Sequence, residues 1–184
     1  MGSPGIVLKA LAVMAIKGPK NEFAVTSKDN LSEIDAYGLG RHMANDLKNK
    51  HTSEKNAPVN YACIFAQNKE QYDTLLMVAE QIGYVIMETP MGPVYHIKPL
   101  KTVAGDLRLL KIRKPDPTRP ELGDADFTVE NYPEFKKRYL SKTGFKLIPK
   151  REDFEMIELV DPKFNVRAYF SNPPLNEQFG ISKN

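Results

Sequence analysis

Apolar residues recur along this chain at two spacings, every second position in short runs and every third or fourth in longer ones. The order of these runs is the same twice. An apolar strand is predicted over 60–66. Asn68 then offers an N-cap with Gln71 at the third helical position, a capping-box arrangement. Tyr72, Leu75, Leu76, Ala79 and Ile82 form one helical face, and Gly83 closes it as a residue that tolerates positive φ. Strands are predicted at 84–88, 94–98 and 107–113. The second copy starts with a strand at 125–129. Asn131 is its N-cap, Tyr132, Phe135, Tyr139 and Leu140 its helical stripe, and Gly144 its stop. Strands follow at 145–149, 154–160 and 165–171.

Ala62/Ala125, Ile64/Phe127, Asn68/Asn131 and Tyr72/Phe135 match at an offset of 63, and Gly83/Gly144 at 61, so the second helix is two residues shorter. The loop 115–123, with Pro115, Pro117 and Pro120, separates the copies. A duplicated strand–helix unit of this kind builds a cleft between its copies, the usual place for a ligand.

Before the repeat, 31–47 carries apolar residues at helical spacing, interrupted by Gly38 and Gly40. Residues 48–58 are polar and end in Pro58, which predicts a linker. Two N-terminal helices would fit a helix-turn-helix, but packing on the following domain or on another subunit explains them more simply. The apolar run 6–16 contains Lys9 and lacks a basic segment before it, so it reads as a short helix rather than a signal sequence.

Composition narrows the function classes. The 26 basic and 23 acidic residues leave a net charge of +3, too balanced to argue for nucleic acid as a partner. No apolar run approaches the roughly 18 residues of a membrane span. A single cysteine, Cys63, excludes an intramolecular disulfide and suits a reducing compartment. The expectation is a cytoplasmic protein with a small-molecule ligand and no membrane partner, with homodimerisation open.

A βαβββ module present twice resembles the organisation of the vicinal oxygen chelate, or glyoxalase-like, superfamily. Within it the chain is similar to the small YecM-type proteins: the segment 60–66 resembles their opening strand, 92–99 the strand after their Gly-Arg-Pro-Ile turn, and 112–117 their Val-Glu-Leu-Pro-x-Pro segment. The resemblance implies an α+β fold in which two βαβββ modules form a curved mixed sheet around a cavity, with a helical N-terminal extension. Its divisions are an extension and linker at 1–58, a glyoxalase-like domain at 59–184 with modules at about 59–117 and 118–171, and a tail at 172–184. The resemblance also implies a divalent metal held by residues opening each first strand and lying on each last strand. The matching positions are Tyr61, Arg113, Asp124 and either Ala168 or Arg167. Only Asp124 is a good ligand, and Arg113 would repel a cation, so the cofactor stays unknown.

Strand alternation places Tyr61, Cys63 and Phe65 on the cavity side, with Leu109, Lys111 and Arg113, then Asp124, Asp126 and Thr128, and finally Arg167 and Tyr169. Lys111, Arg113 and Arg167 near Asp124 and Asp126 predict a pocket for an anion, because Arg forms bidentate bonds with carboxylate or phosphate. These charges could equally satisfy one another as cross-strand pairs. His96 and Glu158 are candidate acids or bases beside Asp124, each with a structural alternative. His42 and His51 carry no spacing signal. If the protein is catalytic, proton-transfer or lyase-type chemistry is expected, with Arg113 or Arg167 holding negative charge. The rival is a non-catalytic binding protein acting through its N-terminal helices, with nucleic acid as one partner class. No phosphate loop, dinucleotide fingerprint, zinc spacing or nucleophile elbow is present.

Overall fold

The structure is a computed structural model that describes residues 43–151 and 153–181. The N-terminal helix expected within 6–16, most of that expected over 31–47, and His42 lie outside the described residues. The elements are α1 (Met43–His51), β1 (Val59–Phe65), α2 (Lys69–Ile82), β2 (Gly83–Met87), β3 (Val94–Thr102), β4 (Gly105–Arg113) and β5 (Gly123–Phe127). They continue with α3 (Tyr132–Tyr139), β6 (Phe145–Arg151), β7 (Phe154–Leu159), β8 (Arg167–Asn172) and α4 (Leu175–Gln178).

All eight strands form one curved mixed sheet in the order β2-β3-β4-β1-β5-β8-β7-β6. Each module folds the same way: its first strand lies parallel to its last, β1 with β4 and β5 with β8. The modules meet where β1 and β5 run antiparallel, with Ala62 opposite Ala125. Those two alanines are the pair that the sequence offset of 63 equates, so the approximate two-fold axis passes between them.

The pleat separates two faces. Ala62, Ile64, Leu110, Ile112, Ala125, Phe127, Ala168 and Phe170 point to the helices and are buried. Onto them α2 lays Leu75, Val78 and Ala79, with Tyr72, Leu76 and Ile82 half-buried at its margin. The α3 side is aromatic: Phe135 lies 4.3 Å from Phe170 and 4.8 Å from Tyr139 between ring centroids, and Tyr139 stacks on Phe145 at 5.5 Å. Offset rings of this kind gain about 0.5–1.5 kcal/mol beyond the area they bury.

Local signals set the helix starts. Asn68 accepts a hydrogen bond from the Gln71 N–H at 2.8 Å and Asn131 one from the Glu134 N–H at 3.1 Å. Gln71 returns its side-chain oxygen to the Gln67 N–H at 2.6 Å, one residue before the cap that a full capping box would engage. Gly144 has φ +91, but Gly83 does not have positive φ. Its φ is −161, and glycine is needed there because a Cβ would sit 2.3 Å from the His96 carbonyl oxygen on β3.

The expected linker at 48–58 is also corrected. Lys48 belongs to α1 and is fully buried, with its ammonium 5.3 Å from the centre of the Phe127 ring. It donates to the Glu54 carbonyl at 2.6 Å and the Lys55 carbonyl at 3.1 Å. Burial, aided by the charge of Lys55, pulls its pKa down to about 8. Ser53 reaches Tyr139, whose hydroxyl accepts from the Ser53 N–H at 2.8 Å. A segment that reads as polar and loose is thereby pinned to β5 and α3.

Candidate functional site

The opposite face of the sheet is concave and holds a cavity of about 320 Å³. The register aligns its central residues in rows. Cys63 on β1 stands between Lys111 on β4 and Asp124 on β5, and Asp124 is followed by Arg167 on β8. One step along, Tyr61 pairs with Asp126, and Asp126 with Tyr169. Tyr61, Cys63, Lys111, Arg113, Asp124, Asp126 and Tyr169 all line the cavity. Alternation along four strands brings them to one face, as the sequence pattern predicted.

The carboxylates differ in their partners. Asp126 is fully buried and accepts from both the N–H (3.0 Å) and the hydroxyl of Ser171. Asp124 keeps 9% exposure and has no hydrogen-bond partner among the described residues. Burial, reinforced by the charge of Asp126 and opposed by Lys111, Arg113 and Arg119, raises the Asp124 pKa to about 7. Burial likewise lifts Asp126 to about 7 against the bonds from Ser171. The Cys63 thiol is pushed up by burial and then by Asp124, which keeps it protonated and poor as a nucleophile. Burial also raises Tyr61 and Tyr169, so both stay hydroxyl donors.

The cations divide the same way. Arg167 is engaged on two sides, by Glu121 and by Glu158 at 2.5 Å. Glu158 also accepts from the Tyr169 hydroxyl at 2.8 Å. The expected ligand-binding Arg167 and candidate base Glu158 therefore hold each other and Tyr169 in place, and neither is among the cavity-lining residues. Arg113 donates from Nη2 to Asp116 at 2.8 Å and lies 5.0 Å from the Phe65 ring centre, but its buried Nε has no partner. Arg119, which the sequence pattern did not single out, lines the cavity with Nη1 buried and unpartnered. Lys111 makes no hydrogen bond or ion pair among the described residues.

His96 stands apart from this group. Its Nδ1 is 3.0 Å from the Tyr84 hydroxyl, and the two rings line a separate surface depression with Arg108. The structure thus brings Asp124 and Arg113 together and leaves His96 out. The C-terminal tail, to which the sequence pattern assigned no role, reaches the cavity: α4 packs against β1, and Leu175 and Phe179 line the wall. Their spacing of four residues was the available signal.

A divalent metal does not fit these residues. No group of three or more His, Cys, Asp or Glu side chains converges among the described residues. The register also corrects the fourth expected position. Arg113 pairs with Phe65, and the same step in the second module leads to Ser171, not Ala168 or Arg167. Lys111 and Arg113 would repel a cation at that place, and Asp126 is already used by Ser171.

Two βαβββ modules joined edge to edge in one sheet are the fold that the glyoxalase-like resemblance implied. Among solved structures, a structural-genomics protein designated EC4020 is similar over 76% of this chain and 85% of its own, with 11% identity and a TM-score of 0.57. A glyoxalase/bleomycin resistance protein/dioxygenase superfamily member from Vibrio splendidus 12B01 is a looser likeness, at 12% identity and TM-score 0.39, over 62% of this chain and 97% of its own. No family model and no curated protein matches the chain. Among the described residues no helix is long and apolar enough to cross a membrane.

Proposed function

We propose that the cavity binds a small carboxylate or phosphate, held by Lys111, Arg113 and Arg119, with Asp124 placed to exchange a proton with it. The observation that carries this reading is the pair of guanidinium nitrogens, Arg113 Nε and Arg119 Nη1, buried at the cavity without acceptors. A buried donor without a partner costs about 1–3 kcal/mol, and these two belong to side chains that line the cavity. Asp124 supports the proton-transfer part because it is the cavity carboxyl free of hydrogen bonds, with a pKa near 7 where it can both give and take a proton. In the proton-transfer reading, ionised Asp124 takes a proton from the carbon next to the bound carboxylate, the C–H electron pair passes to the carboxylate oxygens as an enediolate, and the cations hold that charge. Tyr169 donates its hydroxyl proton to Glu158 and presents only an acceptor oxygen to the cavity. The strand pattern and the segments 60–66, 92–99 and 112–117 support a place in the glyoxalase-like superfamily near the YecM-type proteins.

A thermal-shift screen of small carboxylates and phosphates tests the binding. Stabilisation by at least one anion is expected, reduced at least tenfold in apparent affinity by Arg119→Ala or Lys111→Ala. No hit, or hits indifferent to both substitutions, would sink the proposal. Loss of Asp124 as Asp124→Asn is expected to spare anion binding and to abolish exchange of the ligand's α-hydrogen with deuterated solvent. Full exchange in that variant removes Asp124 from the chemistry.

A further inference from the structure

We infer that the ligand is amphiphilic, a carboxylate carrying an apolar body of one ring or a short chain, rather than a bare anion. This rests on the anion-binding reading and adds the rest of the molecule to it. The charged strand residues of the cavity lie at the centre of the sheet, with Arg119 on the 115–123 loop and Thr89 beyond β2 as the polar lining residues outside it. Following the register outward from Lys111, the next residue on the same face is Val94 and the next is Met87 on the edge strand. Outward on the other side, Ser171 is followed by Met156, with Phe154 two residues before it on β7. These residues, together with Leu175 and Phe179 of the tail, line the same cavity. Both wings and the wall built by α4 are therefore apolar around a charged floor.

Met87 makes the case sharper. It is 47% exposed although it lines the cavity, so its side chain presents apolar surface that nothing in the described chain covers. A bare acetate or phosphate on the cations would leave that surface wet. A ligand with an apolar body would cover it, and each buried methylene contributes about 0.8 kcal/mol, close to a fourfold gain in affinity. The volume of about 320 Å³ sits at the small end of ligand pockets, roughly 300–1,000 Å³, which limits the body to one ring or a short chain.

Calorimetric titration of the full chain with acetate, butyrate, hexanoate and phenylacetate, at fixed ionic strength, reads this directly. Affinity is expected to rise at least tenfold from acetate to hexanoate or phenylacetate. In Phe179→Ser and separately in Met87→Ser, that rise is expected to shrink to threefold or less while acetate binding stays as in the wild type. Met87→Ser changes a half-exposed edge residue and leaves the fold intact even if the tail variant does not fold. Equal affinities for acetate and phenylacetate, or a rise preserved in both variants, overturns the inference while leaving the anion site standing. Absence of binding by every carboxylate overturns this inference, and absence of binding by inorganic phosphate as well overturns the anion reading. Binding of 2-phenylethanol as tight as phenylacetate would overturn the anionic head and leave only an apolar pocket.

Discussion

Urea unfolding at pH 5 is expected to show a more stable protein than at pH 8, by on the order of 3 kcal/mol. The cause is the pair Asp124 and Asp126, both buried and both raised to about 7. In the unfolded chain each ionises near 3.9. Below about pH 4 both are protonated in either state, and the contribution is fully present. Between about 4 and 7 the unfolded chain releases protons that the folded chain keeps, so stability falls as pH rises. Above about 8 the loss from this pair is complete, and Lys48, lowered to about 8 by burial, adds stability as pH rises further. Because the two carboxyls interact, the steps belong to the pair and not to either residue. Asp126→Asn is expected to remove at least half of the difference between pH 5 and pH 8. The amide oxygen can still accept from the Ser171 N–H, and the charge that burial penalises is gone. A variant that loses as much stability as the wild type over that interval would show that the pair is not the source.

The second large effect concerns the helix-facing side of the sheet. Phe170→Ala is expected to cost about 3–5 kcal/mol in the same assay. Phe170 is fully buried on β8, packed on Phe135 and near Phe127 at 6.2 Å between centroids. Truncation removes one ring of that stack and opens a void under α3, which is held to the sheet by the same cluster. Its neighbour Tyr169 faces the cavity, where Tyr169→Phe deletes only the hydrogen bond to Glu158 and is expected to cost about 1 kcal/mol. A Phe170→Ala cost below that of Tyr169→Phe would mean that the two faces of β8 have been exchanged.

The contrast between those neighbours shows what the sequence could carry. Alternation is a local property, so the inward and outward residues of β1, β4, β5 and β8 were legible from one-dimensional pattern alone. The caps at Asn68 and Asn131 were legible for the same reason. The offset between copies even identified Ala62 and Ala125, which the sheet places opposite each other. Depth along a strand is not encoded by a period of two. His96 follows Val94 on the same strand, yet two residues suffice to take it out of the cavity and onto Tyr84. Pairing across the fold was also hidden. Arg167 looked available until Glu121, 46 positions earlier in a proline-rich loop, came to rest against it. Arg119, in the same loop, reaches the cavity although no periodicity marks a loop residue. Lys48 looked like linker composition, and its burial follows from carbonyls at Glu54 and Lys55 that only the folded loop presents.

The join at Ala62 and Ala125 has a consequence for assembly. Around it the first copy supplies Lys111 and Arg113, and the second supplies Asp124 and Asp126. If the first copy paired with another of itself across the same strand, two lysines and two arginines would face one another. If the second did so, four carboxyls would meet in a buried space. A symmetric dimer of either half would therefore concentrate charge of one sign, whereas the tandem chain neutralises it. Covalent succession of unlike halves is what allows this floor to be charged and still balanced.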